Sequence, residues 1–220
     1  PGVNVRRVHS TAKGKAPVEG EFRADRLDLA ALAQIASRLP LGATAHQALQ
    51  AYTPEGLVDD IQATWRGPLD HLVQYQVKSK IRGLSLAGDA PDAARAHMGL
   101  RGATVDLDMT QSGGKAALSI ASGALLLPGI FEDPVVPLDR LSADVRWQID
   151  GDRIAVQTGD VLFANADAQG QARATWRTSD AAKVPHKSRF PGVLDLTGKL
   201  SRADGTRVHR YLPLTIPEAS

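Results

Sequence analysis

The sequence has no cysteine, few aromatic residues, almost no excess of either charge and no long apolar run. Each lack removes a class of function. Without cysteine there can be no disulfide scaffold, thiolate metal site or cysteine nucleophile. Aromatic side chains make up 5% of the 220 residues, as three Trp, three Tyr and four Phe. That is too few for a nucleic-acid platform, which stacks bases on rows of aromatic faces beside a basic groove. Lys and Arg number 26 against 24 Asp and Glu, a formal charge of +2, so no strong field draws the chain to nucleic acid or an acidic membrane. No apolar stretch reaches the roughly 18–20 residues that span a bilayer. The longest, Ala124 to Phe131, is broken by Pro128 and Gly129. The chain opens Pro-Gly-Val-Asn with neither an initiator Met nor a signal-like stretch, and reads as an internal piece of a longer protein.

What is present is 43% hydrophobic residues, sufficient for a real core and arranged with period two. Ile61, Ala63 and Trp65 alternate with Gln62, Thr64 and Arg66; Val73, Tyr75 and Val77 alternate with Gln74, Gln76 and Lys78. Val105, Leu107 and Met109 flank Asp106 and Asp108, and Val145, Trp147 and Ile149 flank Arg146 and Gln148. Ile154 and Val156, then Ala172, Ala174 and Trp176, then Leu194, Leu196 and Leu200 continue the rhythm. Such alternation gives each strand one apolar and one wet face, the mark of antiparallel sheets. Turn signals at Ala87-Gly88-Asp89, Ser112-Gly113-Gly114 and Asp150-Gly151-Asp152 fall at hairpin spacing. About ten strands are predicted, at 3–10, 16–25, 57–67, 71–82, 99–110, 114–121, 140–150, 152–159, 161–177 (broken) and 192–200.

Helix is predicted from Asp28, a suitable N-cap, to Leu39 before Pro40, where Leu29, Leu32, Ile35, Ala36 and Leu39 recur at spacings of three and four. Shorter helices are expected at Thr44–Tyr52 and at Thr206–Tyr211 after Asp204. Loops are proline-rich at 128–138 and basic at 183–189, the latter expected to be mobile. No internal boundary is visible, so residues 1–220 read as a single mainly-β unit.

Motifs for chemistry are wanting. The six histidines, at 9, 46, 71, 97, 186 and 209, form no i, i+4 pair and no His-Glu-x-x-His, so no metal or other cofactor is expected; most should lie at the surface or at strand edges. Asp106 and Asp108 share a strand face that could serve acid–base work, but solvent-facing acids on an amphipathic strand explain them more simply. Turn chemistry accounts for Asp150 and Asp152 around Gly151. Gly83-Leu84-Ser85-Leu86-Ala87 lacks the last glycine of a serine-nucleophile elbow. Gly113-Gly114-Lys115 lacks the rest of a phosphate loop and reads as a tight turn. Arg101, Arg146, Arg173 and Arg177 fall on polar strand faces and read as solvated. An enzyme is not expected. What remains is a broad apolar sheet face with too few helices to cover it. It closes on itself as a barrel or sandwich, is partly covered by helices, or forms a greasy trough, and composition does not choose between these.

The residues carry a resemblance that does. Ala124-Leu125-Leu126-Leu127-Pro128-Gly129-Ile130-Phe131-Glu132-Asp133-Pro134, followed by Leu138-Asp139-Arg140-Leu141 and Val145-Arg146-Trp147, resembles a stretch of the YhdP-type AsmA-like proteins of Gram-negative bacteria. So does Phe190-Pro191-Gly192-Val193-Leu194-Asp195-Leu196-Thr197-Gly198-Lys199-Leu200 through Gly205 to Arg210-Tyr211-Leu212-Pro213-Leu214. Leu27-Asp28-Leu29-Ala30 to Leu39-Pro40, and Gly56-Leu57-Val58-Asp59 to Trp65-Arg66-Gly67, fit the same pattern in the same order. The likeness runs from about residue 16 onward and brings no catalytic motif with it.

The resemblance implies a long, curved antiparallel sheet, an open groove with two or three short helices packed at or near its apolar face. It implies a segment of a long periplasmic protein, held to the inner membrane by an anchor outside this segment and acting as a bridge-like phospholipid carrier towards the outer membrane. The partners it implies are phospholipid acyl chains and the remaining segments of the same chain, not nucleic acid. The residues expected to line the groove are Ile61, Trp65, Val73, Tyr75, Val77, Val105, Leu107, Leu118, Ile120, Val145, Trp147, Ile149, Ile154 and Val156, with the 28–39 helix as a plug or cap. The rival expectation is a closed β module that spaces or docks parts of the envelope and holds no lipid of its own.

Overall fold

The computed structural model describes residues 3–8, 19–38, 43–68, 72–89, 97–180, 192–211 and 214; the basic stretch 183–189 lies outside them. Twelve strands form one antiparallel sheet: β1 Val3–Val8, β2 Glu19–Ala24, β3 Leu27–Asp28, β4 Glu55–Arg66, β5 Gln74–Leu86, β6 Gly99–Thr110, β7 Gly113–Leu126, β8 Val135–Asp150, β9 Arg153–Thr158, β10 Val161–Ala164, β11 Ala168–Arg177 and β12 Val193–Ala203. Neighbours along the sheet run β1-β2-β4-β5-β6-β7-β8-β10-β11-β12. Strand β9 shares the position of β10, pairing β8 over Val145–Asp150 while β10 pairs it over Arg140–Ser142, and both reach β11. The sheet is thus ten positions wide, about 43 Å at the usual ~4.8 Å spacing. Among the described residues its ends, β1 and β12, do not pair with each other.

Two-residue turns join β6 to β7 and β8 to β9, with Thr110 opposite Gly113 and Asp150 opposite Arg153. Gly151 supplies the positive φ, 53°, that the second turn needs. The sequence places these hairpins correctly, but three predicted ends miss by four or five residues. Strand β5 runs to Leu86 rather than 82, β7 to Leu126 rather than 121, and β8 begins at Val135 rather than 140. The proline-rich stretch 128–138 is therefore partly strand. Pro137 is tolerated because this part of β8 has a neighbour, β7, on one side only.

The three errors share a cause. A line of irregular pairing crosses the sheet, with bulges between Val58 and Asp60, Ile81 and Leu84, and Arg101 and Ala103. Ser122 and Asp139 continue it, facing one another between the paired residues on either side. Gly83, Gly102 and Ser122 hold positive φ of 63°, 76° and 62° along it. A bulge adds a residue to one strand, bends it and shifts the alternation by one. This crease is where the period-two pattern breaks and where the sequence pattern stops short of the true strand ends.

The packed core lies along the crease: Leu84, Ala103, Val105, Ile120, Leu138 and Leu141 are buried, Ala103 and Ile120 almost completely. Leu29 of α1 (Leu29–Ala36) packs against this cluster. The helix starts as predicted, with the Asp28 carboxylate accepting from the Ala31 N–H at 3.0 Å. It is short and has no buried residue, and Ile35 is 60% exposed, so it covers only part of the apolar face. Helix α2, Ala43–Tyr52, is tied to the sheet by its C-terminus: the Ala87 N–H donates to the Tyr52 carbonyl at 2.8 Å, and His97 meets the Tyr52 ring edge-on at 5.0 Å. The expected third helix is a 3-10 helix, Gly205–Tyr211.

That 3-10 helix closes a buried polar cluster at the end of the β10–β11 hairpin. Asn165 and Asp167 are 5% and 6% exposed. Asn165 Oδ1 accepts from the N–H groups of Asp167 and Ala168, and its amide donates to the Pro137 carbonyl and the Tyr211 hydroxyl. Asp167 accepts from Tyr211 at 2.8 Å and pairs with Arg207 and Arg210 at 3.5 and 3.2 Å. A buried carboxylate is tolerable only when paired and hydrogen-bonded in this way. Burial, and then the Asp167 acceptor, push the Tyr211 hydroxyl pKa above its ordinary 10.0.

Candidate functional site

Antiparallel register puts directly paired residues on one face, so the pairing can be followed across the sheet. One row runs Phe22, Ala63, Val77, Met109, Gly114, Trp147, Val156, Trp176, Leu194, through β2, β4, β5, β6, β7, β8, β9, β11 and β12. No member is polar. The next row towards the crease, Ala24, Ile61, Ser79, Leu107, Ala116, Val145, Thr158, contains only two hydroxyls. Beyond it come Leu27, Val58, Ile81, Val105, Leu118 and Ala143. The rows far from the crease are half-buried rather than buried, and on β12 Leu194, Leu196 and Leu200 are 58–66% exposed.

All three tryptophans lie on this face, and each rests over a glycine. A Cβ built on Gly20 would fall 2.2 Å from the Trp65 ring, one on Gly114 2.6 Å from the Trp147 ring, and one on Gly192 2.7 Å from the Trp176 ring. Gly20 and Gly114 are the direct register partners of Trp65 and Trp147. Phe163 repeats the arrangement over its partner Gly170 at 3.0 Å. An aromatic ring laid over a facing glycine covers backbone that would otherwise be bare and pins the register.

The opposite face is predominantly polar. One row there runs Arg23, Gln62, Lys78, Asp108, Lys115, Arg146, Gln157, Thr175, Asp195. Asp106 and Asp108 lie here opposite Lys80 and Lys78, with ion-pair distances of 3.7 and 3.8 Å, as solvent-facing acids should. The guanidinium of Arg82 holds the Asp59 carboxyl below its ordinary range, and that of Arg173 does the same for Asp160.

The expected groove residues are brought onto the apolar face with one exception. Val73 precedes β5 and is 60% exposed, its N–H donating to the Arg66 carbonyl at 2.9 Å; the predicted strand, 71–82, begins three residues too early. Val105 and Ile120 are 7% and 1% exposed, so they belong to the packed core beneath the face. The remaining eleven are half-buried. The register adds Phe22, Met109, Trp176, Leu194 and Leu196, which sequence reasoning did not include. Trp176 and the two leucines alternate visibly, but only pairing shows that β11 and β12 extend the same rows. Gly114, which the sequence pattern marks as turn, is the seat of Trp147. Among the described histidines, His46 and His97 are half-buried and His209 is exposed; His97 Nε2 lies 3.1 Å from the Ala51 carbonyl oxygen.

Among the described residues no helix is long and apolar enough to cross a membrane. No curated protein and no solved structure matches the chain. A family model does: the one described as YhdP protein aligns with residues 3–219. A mainly-β chain with this sheet, matched over nearly its whole length, belongs to the YhdP family.

Proposed function

We propose that this chain is a non-catalytic segment of a periplasmic, bridge-like lipid carrier, and that its apolar sheet face holds phospholipid acyl chains passing from inner to outer membrane. The observation that carries the reading is the row from Phe22 to Leu194, apolar on nine strands and left half-exposed. A monomeric soluble domain has no reason to keep so continuous a greasy stripe in contact with water. Membership of a family of long envelope proteins supplies the context. Burying an acyl chain gains ~0.8 kcal/mol per methylene, and a row uniform from strand to strand lets the chain advance while keeping its contacts. In this reading other segments of the same long chain continue the face, and an anchor outside residues 1–220 holds the whole at the inner membrane.

The experiment is lipid capture. A photo-crosslinking amino acid at Leu107 or Trp65, followed by extraction and mass spectrometry of the protein isolated from cells, should recover phospholipid, and Val77→Asp should abolish the capture while leaving the sheet folded. Absence of phospholipid from both crosslinked positions would sink the proposal. A second reading, a structural module without lipid, draws on the buried cluster around Ile120. It requires Val77→Asp to unfold the chain, as a change in an ordinary closed core would.

A further inference from the structure

On the polar face, several basic side chains are matched to acids. Arg66 pairs with Glu19, Lys78 with Asp108, Lys80 with Asp106, Arg82 with Asp59 and Arg173 with Asp160. Others are not, Arg140, Arg153 and Lys199 among them, and at one place two unmatched cations meet in register. Lys115 has Asp108 opposite it on β6 but stands directly across from Arg146 on β8, two like charges where an opposite pair would stabilise and a like pair costs stability. Neither makes an ion pair or side-chain hydrogen bond within the described residues, and Arg177, further along the face on β11, makes none either. Of the nearby acids, Asp108 is held by Lys78 and Gln76, and Asp144 lies one row away, opposite Ala117.

These three cations, with the carboxylate of Asp108 that Lys78 already holds, line one cavity of about 630 Å³, a volume usual for small-molecule sites. The cavity exists because its central row, Thr110, Gly113, Gln148, Ala155, Arg177, has a glycine and an alanine flanking Gln148, so long neighbours surround a floor with little side chain. Gln148, Gln157 and Thr175 add neutral hydrogen-bonding groups to the lining. Like charges left unmatched around a recess that offers neutral donors and acceptors are the chemistry of a phosphate ester carried on a polyol: the phosphate between Lys115 and Arg146, the hydroxyls on the amides and the threonine.

We propose that this recess on the polar face binds a phosphorylated polyol, either free or as the headgroup of a lipid. The site lies on the face opposite the acyl-chain rows, so its success or failure leaves the lipid-groove reading untouched. The test is titration of the 220-residue chain with sn-glycerol 3-phosphate by calorimetry, beside co-sedimentation with phosphatidylglycerol vesicles and with phosphatidylcholine vesicles. Saturable binding of glycerol phosphate, weakened at least tenfold in Lys115→Gln/Arg146→Gln and less than twofold in the control Lys80→Gln, supports a free phosphate ester. Binding confined to phosphatidylglycerol vesicles, and lost in the same double variant, assigns the phosphate to a lipid headgroup. Circular dichroism confirms that the double variant is folded, as expected for exposed side chains. No binding of either probe, equal binding by the double variant, or equal binding to both vesicle types overturns the proposal.

Discussion

The two ends of the same strands behave differently although both obey the same alternation. Near the crease, Leu84, Ala103, Val105, Ile120, Leu138 and Leu141 are buried. Towards the hairpin turns, Trp147, Val156, Val77 and their row stay half-exposed. Hydrophobic pattern is common to both ends, so pattern alone does not decide burial. What differs is what lies above. Leu29 of α1, Leu86, Leu100 and Leu125 from beyond the crease, and Phe163 of β10 all pack onto the first cluster. In the far half, glycines let the aromatic rings lie down on the sheet itself. One end is therefore a fold-stabilising core, and the other is surface whose exposure folding has left in place.

Substitutions should separate these ends. The largest effect is expected at the core: Ile120→Ala, at a side chain 1% exposed, should cost about 2–5 kcal/mol in chemical denaturation. Next comes the polar latch that fixes the β10–β11 hairpin. Asn165→Ala leaves buried backbone N–H groups and the Tyr211 hydroxyl short of a partner and should cost about 1–3 kcal/mol by the same measurement. The glycine seats should follow, in a defined order. At Gly114 an added Cβ meets backbone atoms of Asp108 and Met109 as well as the Trp147 ring, whereas at Gly20 the near atoms all belong to the movable Trp65 ring. Gly114→Ala should therefore destabilise more than Gly20→Ala, and both should shift tryptophan emission. Val77→Asp on the open row should cost only about 1 kcal/mol or less; a loss comparable to Ile120→Ala would erase the distinction between the ends. The smallest change is a pH effect. Because the Tyr211 pKa is raised on folding, its contribution is complete below the ordinary tyrosine value of 10.0 and is lost as pH rises through the folded value. Tyr211→Phe should remove that alkaline step from a stability-against-pH profile.

Much of the fold could be read from the sequence, because one-sided strands write their period directly. Its failures cluster in space. The ends assigned near residues 82, 121 and 140 fall on the crease, where Gly83, Ser122 and Asp139 shift the alternation; a reader following parity stops where the strand merely changes parity. The site was legible as a face but not as rows, since Trp65 and Gly20 meet only through a register that no local pattern encodes. Asn165 and Asp167 look like ordinary turn residues. Their burial depends on a 3-10 helix some 40 residues later in the chain.

The tryptophan–glycine pairs set the relief of the apolar face. A residue at the height of an indole beside one with no side chain would ordinarily make a ridge and a pit, each a place where a sliding hydrocarbon could catch. With the ring laid into the pit the two cancel, and Trp65 with Gly20, or Trp147 with Gly114, becomes one tile two strands wide. If the face carries acyl chains as proposed, the corrugation of such tiles, rather than their stickiness, would limit how fast a chain moves. Each tile also ties distant parts of the sequence together, because a larger residue at the glycine forces the ring upright and a smaller one at the tryptophan leaves a hole.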